Sequence, residues 1–220
     1  MLLDPARLEH SDTRIELHPF AFLVAQEQLP TAWQEALEAD FPHYAGAGFF
    51  PHDPVDCGPS INALVAALST GAFADAVGSR LGVADLGRMP TLVTLCRSLN
   101  RRHGTVHTDS QSKVVTALLY LNREWPAGSA GCLRFLRRQD DIEDLAIPEI
   151  RPLYGTLTAF RRSDNSWHGH LPYEGERRVI QVAWLINERE KRRKSRRGRF
   201  SRALKWLLGR LDARWRARGA

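Results

Sequence analysis

The stretch His107–Asn122, HTDSQSKVVTALLYLN, sets a polar segment directly against an apolar run. In extended chain, residues i and i+2 share a face, so His107 and Asp109 can converge on one point. An imidazole and a carboxylate on one point are two thirds of a facial metal triad. The apolar run behind them, rich in β-branched and aromatic residues, reads as a core strand. The fold then turns on whether the flanking sequence supplies partner strands, and the chemistry on whether it supplies a third ligand.

Partner strands are there. TLVTLCRSL (91–99), GCLRFL (131–136), GTLTAF (155–160) and RVIQVAWLI (178–186) are short, apolar and separated by Gly, Pro, Asp and Asn. RRQDDIEDLAIPEIRPLY (137–154) is too polar for core and reads as a long surface loop. Before Pro90 the sequence reads as mixed helix and strand, with three helical segments. Leu29, Trp33, Ala36 and Leu37 recur at helical spacing with Pro30 near the first turn. Ile61, Leu64, Val65 and Leu68 mark a second helix, and Phe73, Ala76, Val77 and Leu81 a third, with a boundary near Thr70 and Gly71. Helices first and evenly spaced strands after them imply an α+β domain, an antiparallel sandwich or barrel with helices packed outside.

The 220 residues, 43% hydrophobic, suffice for one sizeable core. No stretch of 18 apolar residues occurs, so no membrane-spanning helix is expected. The first twenty residues lack the basic-then-apolar pattern of a secretory leader. Three cysteines, Cys57, Cys96 and Cys132, show no CxxC spacing and fit free thiols in a reducing cytoplasm. The net charge of +6 is unevenly held. Residues 189–220 carry 14 Lys and Arg against 2 acids, leaving 17 bases and 23 acids for residues 1–188. Any attraction to an anionic partner belongs to the tail.

Candidates for the third ligand are His168 and His170, just before the last strand, and Arg177 and Arg178 open that strand. Two histidines and a carboxylate leave open positions on iron for a keto acid and dioxygen. The far carboxylate of such an acid calls for a fixed cation, and the arginine fork matches it. In order, the segments HTD, VVTALLYLNREW, AGCLRF, PLYGTLTAF and WHGHLPYEGERRVIQVAWL resemble the iron(II)- and 2-oxoglutarate-dependent dioxygenases. The likeness is to the prolyl-4-hydroxylase branch, which includes the hypoxia-inducible-factor prolyl hydroxylases, and it covers somewhat under half of the chain.

The resemblance implies a double-stranded β-helix (jelly-roll, cupin-like) core. It implies His107, Asp109 and His168 as iron ligands, since His168 stands four before Pro172 and nine before Arg177, and His170 fits neither spacing. It implies Arg177 as the anchor of 2-oxoglutarate with Tyr120 beside it, Arg178 being the fallback, and Thr116 and Leu133 lining the cosubstrate pocket. The cofactors implied are Fe(II), 2-oxoglutarate and O2, with ascorbate as an accessory reductant. One departure concerns the segment upstream of the HxD: where the family often has an aromatic-Pro-Gly turn, this chain has CRSLNRRHG, so substrate contacts are not carried over. His103 and His170 are expected as structural or loop histidines, and Lys113 as a solvated loop lysine.

The chain accordingly divides into a helical and strand flank (1–90), the catalytic core (91–188) and a basic linker with an amphipathic helix (189–220). In the last part, KRRKSRRGR is polybasic, and Phe200, Ala203, Leu204, Leu207, Leu208, Leu211 and Trp215 fall at helical spacing among arginines. Such a helix suits an anionic membrane surface, with docking on protein as the alternative. Nucleic acid is disfavoured because nothing resembles a base-reading module. The expectation is a cytoplasmic enzyme, peripheral on the inner face of the membrane. It would hydroxylate a small molecule or a glycan or lipid-linked precursor; a peptidyl proline and a catalytically silent binding module are the alternatives.

Overall fold

The computed structural model describes residues 2–10 and 12–196, so the amphipathic helix expected beyond Arg199 lies outside the described residues. Among the described residues, nine strands and three α-helices precede a helical stretch at 188–196. Strands β1 (Arg14–Glu16), β2 (Phe22–Ala25) and β3 (Phe49–Pro51) come from the first third. Helices α1 (Gln34–Ala39), α2 (Pro59–Leu68) and α3 (Gly71–Leu81) follow the expected spacing. Then come β4 (Thr91–Leu99), β5 (Lys113–Tyr120), β6 (Arg134–Phe135), β7 (Leu157–Arg161), β8 (His168–Gly169) and β9 (Gly175–Leu185).

From β4 onward the chain alternates between two sheets. The large antiparallel sheet runs β1-β2-β7-β5-β9-β4-β3, and β6 pairs with β8 in a small facing sheet. Bridges His107↔His168, Leu133↔Ile150 and Leu136↔Leu145 extend the small sheet. Strands that switch sheet at each step make a double-stranded β-helix. The sheet edges come from β1 and β3, strands that the mixed helix-and-strand reading of the first part left unlocated.

β5 explains the architecture. Val115, Ala117 and Leu119 point into one core, and Leu118 and Tyr120 into another, so both faces of the strand are dry. The first core lies under the helices, where Ile61, Leu64 and Leu68 of α2 and Phe73, Val77 and Leu81 of α3 are buried against Trp184 and Ile180 of β9. Each such side chain contributes about 1.5–3 kcal/mol by leaving water. Thr70 caps α3 by accepting from the Phe73 amide at 3.3 Å, and Gly82 ends it at φ +65°. No single described helix is long and apolar enough to cross a membrane; α2 and α3 pass only as a pair bent by 51°, and their apolar faces are in this core.

The second core lies between the sheets, from Phe20, Phe22, Phe135 and Phe160 to Leu118, Tyr120, Leu133 and Val179. The polar loop 137–154 departs from expectation here. Its Ile147 and Ile150 enter this core, and buried Arg134 ties the loop down through Glu143 (2.6 Å), Glu149 (2.9 Å) and the Ile142 carbonyl (3.1 Å). Two isoleucines and one internal arginine outweigh a charged average. Cys57, Cys96 and Cys132 are not disulfide-bonded.

Candidate metal centre and cosubstrate pocket

His107 and His168 are 61 positions apart in sequence and adjacent in space. Each donates its amide to the other's carbonyl at 3.0 Å, an antiparallel pair whose side chains share a face. Their rings are 4.4 Å apart, centroid to centroid. Asp109 follows where the strand gives way to a turn, and one ligand atom from each of His107, Asp109 and His168 lies within 4.8 Å of the other two.

The chemistry of this donor set fits a divalent metal. His107 Nδ1 lies 2.7 Å from the Thr105 carbonyl, and His168 Nδ1 lies 2.9 Å from the Ser166 carbonyl. A carbonyl only accepts, so both Nδ1 atoms carry the proton and both Nε2 lone pairs remain for a metal. Burial pulls His168 down to about 4, helped by His107 and opposed by Asp109, so it is neutral near pH 7. Burial favours the neutral acid of Asp109, but the Lys113 and His168 charges and hydrogen bonds from Lys113 and Thr116 outweigh it, giving about 2. A neutral imidazole at His168 and an ionised carboxylate at Asp109 are ligand forms that iron(II) requires.

Asp109 is gripped at three atoms. Lys113 Nζ donates to Oδ1 at 2.7 Å, Thr116 Oγ1 donates to Oδ2 at 2.6 Å, and Arg162 Nε donates to the backbone carbonyl at 3.2 Å. Lys113, expected to be solvated, is 12% exposed and paired to the ligand, because the start of β5 carries it under the loop it follows. Thr116 faces inward with its hydroxyl given to Asp109. Helical residues 188–196 reach the same loop through Lys194 Nζ, 2.8 Å from Ser110 Oγ.

Toward the other end of the inner core, Arg177 and Tyr120 form a second constellation. Arg177, 3% exposed, donates from Nε to the Gly131 carbonyl at 3.0 Å and from Nη2 to the Tyr120 hydroxyl at 3.3 Å. Its guanidinium carbon is 5.0 Å from the Tyr120 ring centroid. Burial raises the Tyr120 phenol, which therefore stays a protonated donor. Gly131, at φ +74°, could carry no side chain: a Cβ there would come 2.7 Å from Trp125 and 2.9 Å from Tyr173. Leu133 is buried in the same core.

Arg178 occupies the opposite face, where Glu38 (2.7 Å) and Glu176 (2.5 Å) hold it and its amide donates to Asn122 Oδ1 at 2.8 Å. His170 stays off the triad, its Nδ1 2.8 Å from the Leu171 carbonyl, and His103 bonds to Asn100 in an exposed loop. A metal triad at one end of a dry interior and an arginine–tyrosine pair toward the other can hold a keto acid by both ends, metal at the keto-acid end and cation at the far carboxylate. Lys113, Arg162 and Gly131 were missed because a basic residue or a glycine in a loop carries no signal until burial selects its partner.

The family model for the 2OG-Fe(II) oxygenase superfamily matches residues 94–186, a span that contains both constellations. A prolyl-4-hydroxylase from Pseudomonas putida superposes with a TM-score of 0.55 at 19% identity, covering 74% of this chain and 92% of its own. A prolyl 4-hydroxylase from Phytophthora capsici gives 0.52 at 20%, over 86% and 64%. HygX from Streptomyces hygroscopicus, with nickel and 2-oxoglutarate bound, gives 0.50 at 13%, over 74% and 82%. At these identities the likeness is one of fold. No curated protein matches the chain in sequence.

Proposed function

We propose that this chain, which carries the 2OG-Fe(II) oxygenase fold with a His-Asp-His iron-binding triad, hydroxylates a prolyl residue of a peptide. The dioxygenase class rests on one observation above others: His107, Asp109 and His168 converge within 4.8 Å, with Asp109 and His168 in the protonation states a metal needs. The prolyl assignment is supported by the two prolyl 4-hydroxylases that share the fold. The glycan or lipid-linked alternative drew on the tail, which lies outside the described residues, and it ranks second.

When bound, Fe(II) with 2-oxoglutarate and O2 supplies the oxidising power to hydroxylate an unactivated C–H bond, with succinate and CO2 released. The chain's own residues bind and orient. Lys113 and Thr116 fix the carboxylate plane of Asp109, and the Thr105 and Ser166 carbonyls fix the two imidazole tautomers. Arg177 and Tyr120 would hold the distal carboxylate, and Leu118, Leu133 and Phe160 keep bulk water from the interior.

The test is succinate formation from 2-oxoglutarate with Fe(II), with and without a proline-containing peptide, and a search for a gain of one oxygen on proline. His107→Ala should abolish turnover, and Arg177→Ala should chiefly raise the 2-oxoglutarate requirement. Succinate formation that no proline peptide stimulates rejects the substrate and keeps the enzyme class. Absence of both metal binding and turnover would support a silent binding module. For the tail we propose contact with an anionic membrane surface. Full-length protein should then pellet with phosphatidylserine vesicles and a chain ending at Arg196 should not; equal pelleting rejects it.

A further inference from the structure

Inside the dry core, one polar group has no evident employment. Thr158 lies near the start of β7, its residue fully buried, and its Oγ1 makes no hydrogen bond of normal length. A buried hydroxyl left in that state costs about 1–3 kcal/mol, and an aliphatic residue of the same shape would avoid the cost. Strand register places it on the inner face. It pairs with Leu118 of β5 and Val24 of β2, and its parity is that of Phe160, which belongs to the inner core. The hydroxyl stands beside the Tyr120 phenol as a long, weak hydrogen-bond neighbour that favours the phenolate, against the larger effect of burial.

Donor accounting at the anchor shows what such a group is for. Arg177 Nε is already spent on the Gly131 carbonyl, and Nη2 already gives one proton to Tyr120. The guanidinium can therefore meet an incoming carboxylate with at most a two-bond fork from its Nη groups, whereas a carboxylate accepts about four hydrogen bonds. Tyr120, which takes a proton from Arg177, has its own to donate. A further donor is needed to satisfy a fully desolvated carboxylate, and Thr158 is the hydroxyl next to Tyr120.

We infer that Thr158 is a third polar contact of the cosubstrate pocket, donating its hydroxyl proton to the distal carboxylate of 2-oxoglutarate alongside Arg177 and Tyr120. The inference rests on the dioxygenase reading and adds a selectivity element: Thr158 favours a dicarboxylic keto acid over a monocarboxylic one of similar girth. Thr158→Val keeps the shape and β-branching of the strand residue and removes only the donor.

The experiment is calorimetric titration of the Mn(II)-loaded full-length protein with 2-oxoglutarate and, separately, with 2-oxobutyrate, which lacks the distal carboxylate. T158V should bind 2-oxoglutarate about tenfold or more weakly than wild type, the loss expected for one hydrogen bond to a charged group. T158S should recover to within about threefold. Mn(II) affinity, and affinity for 2-oxobutyrate, should be the same in T158V and wild type. Unchanged 2-oxoglutarate affinity in T158V overturns the inference, as does a parallel loss of Mn(II) binding, which would mark a structural role. Wild-type protein that binds Mn(II) but no 2-oxoglutarate overturns the dioxygenase reading itself, a separate outcome.

Discussion

Replacing Thr116 by valine removes one atom from the grip on Asp109 and changes little else. Thr116 is 2% exposed in the middle of the large sheet, between Phe160 and Ala183. Valine matches its branching and is at home in a strand. What is lost is the 2.6 Å hydrogen bond to Asp109 Oδ2, a carboxylate that is itself only 8% exposed. Hydrogen bonds to charged groups are worth about 1.5–3 kcal/mol, and a side-chain partner that orients a metal ligand is typically worth 10–100-fold in affinity. With Lys113 alone holding Oδ1, the carboxylate is free to turn about that contact. The expected outcome is Mn(II) or Co(II) affinity lower by about 10–100-fold and metal-free stability lower by about 1.5–3 kcal/mol. Thr116→Ser should recover most of both. Calorimetric metal titration and urea denaturation in EDTA measure the two quantities. A T116V protein that binds metal within twofold of wild type and unfolds at the same urea concentration refutes the idea that this hydroxyl positions the ligand.

Three further outcomes follow from the same geometry. Arg178→Ala should cost about 1–2 kcal/mol in urea denaturation, because it frees the partly exposed Glu38 and Glu176, yet should leave 2-oxoglutarate affinity within twofold; a large affinity loss would move the anchor from Arg177 to Arg178. Metal-free protein should weaken as pH falls from about 6.5 toward 4, because the unfolded chain protonates His168 in that window and the folded one resists until about 4; the loss is on the order of 3 kcal/mol by pH 4, and a urea midpoint that is flat across the window contradicts it. Asp109 adds to the same trend only below its usual 3.8, down to about 2. Gly104→Ala should destabilise by about 1–3 kcal/mol, since residue 104 sits at φ +83° and a Cβ would lie 2.0 Å from His170 Nε2; adding His170→Ala should return the steric part, and no recovery in the pair would place the strain elsewhere.

Spacing, read through the family resemblance, carried the reading a long way. The i, i+2 pairing of His107 with Asp109, the four- and nine-residue intervals from His168 to Pro172 and Arg177, and the alternation along β5 are local, and local pattern survives without a fold. The helices at 59–68 and 71–81 were legible for the same reason, with Thr70 as cap and Gly82 as stop. The short strands β1–β3 were not, because three or four residues give too few repeats to show a period.

By itself, the sequence determined which side chains carry the chemistry and which face of each strand presents them. Tertiary structure decided partners. His107 meets His168 because a backbone bridge closes 61 residues of chain. Lys113 is a ligand clamp rather than a solvated lysine because burial leaves Asp109 as its counter-charge. Arg177 and Arg178, neighbours in sequence, part company because strand parity sends one to Tyr120 and the other to Glu38. A hydroxyl such as Thr158 acquires meaning only when every other donor around it has been assigned. Residue type and interval are properties of the chain, whereas desolvation and pairing are properties of what long-range contacts bring together.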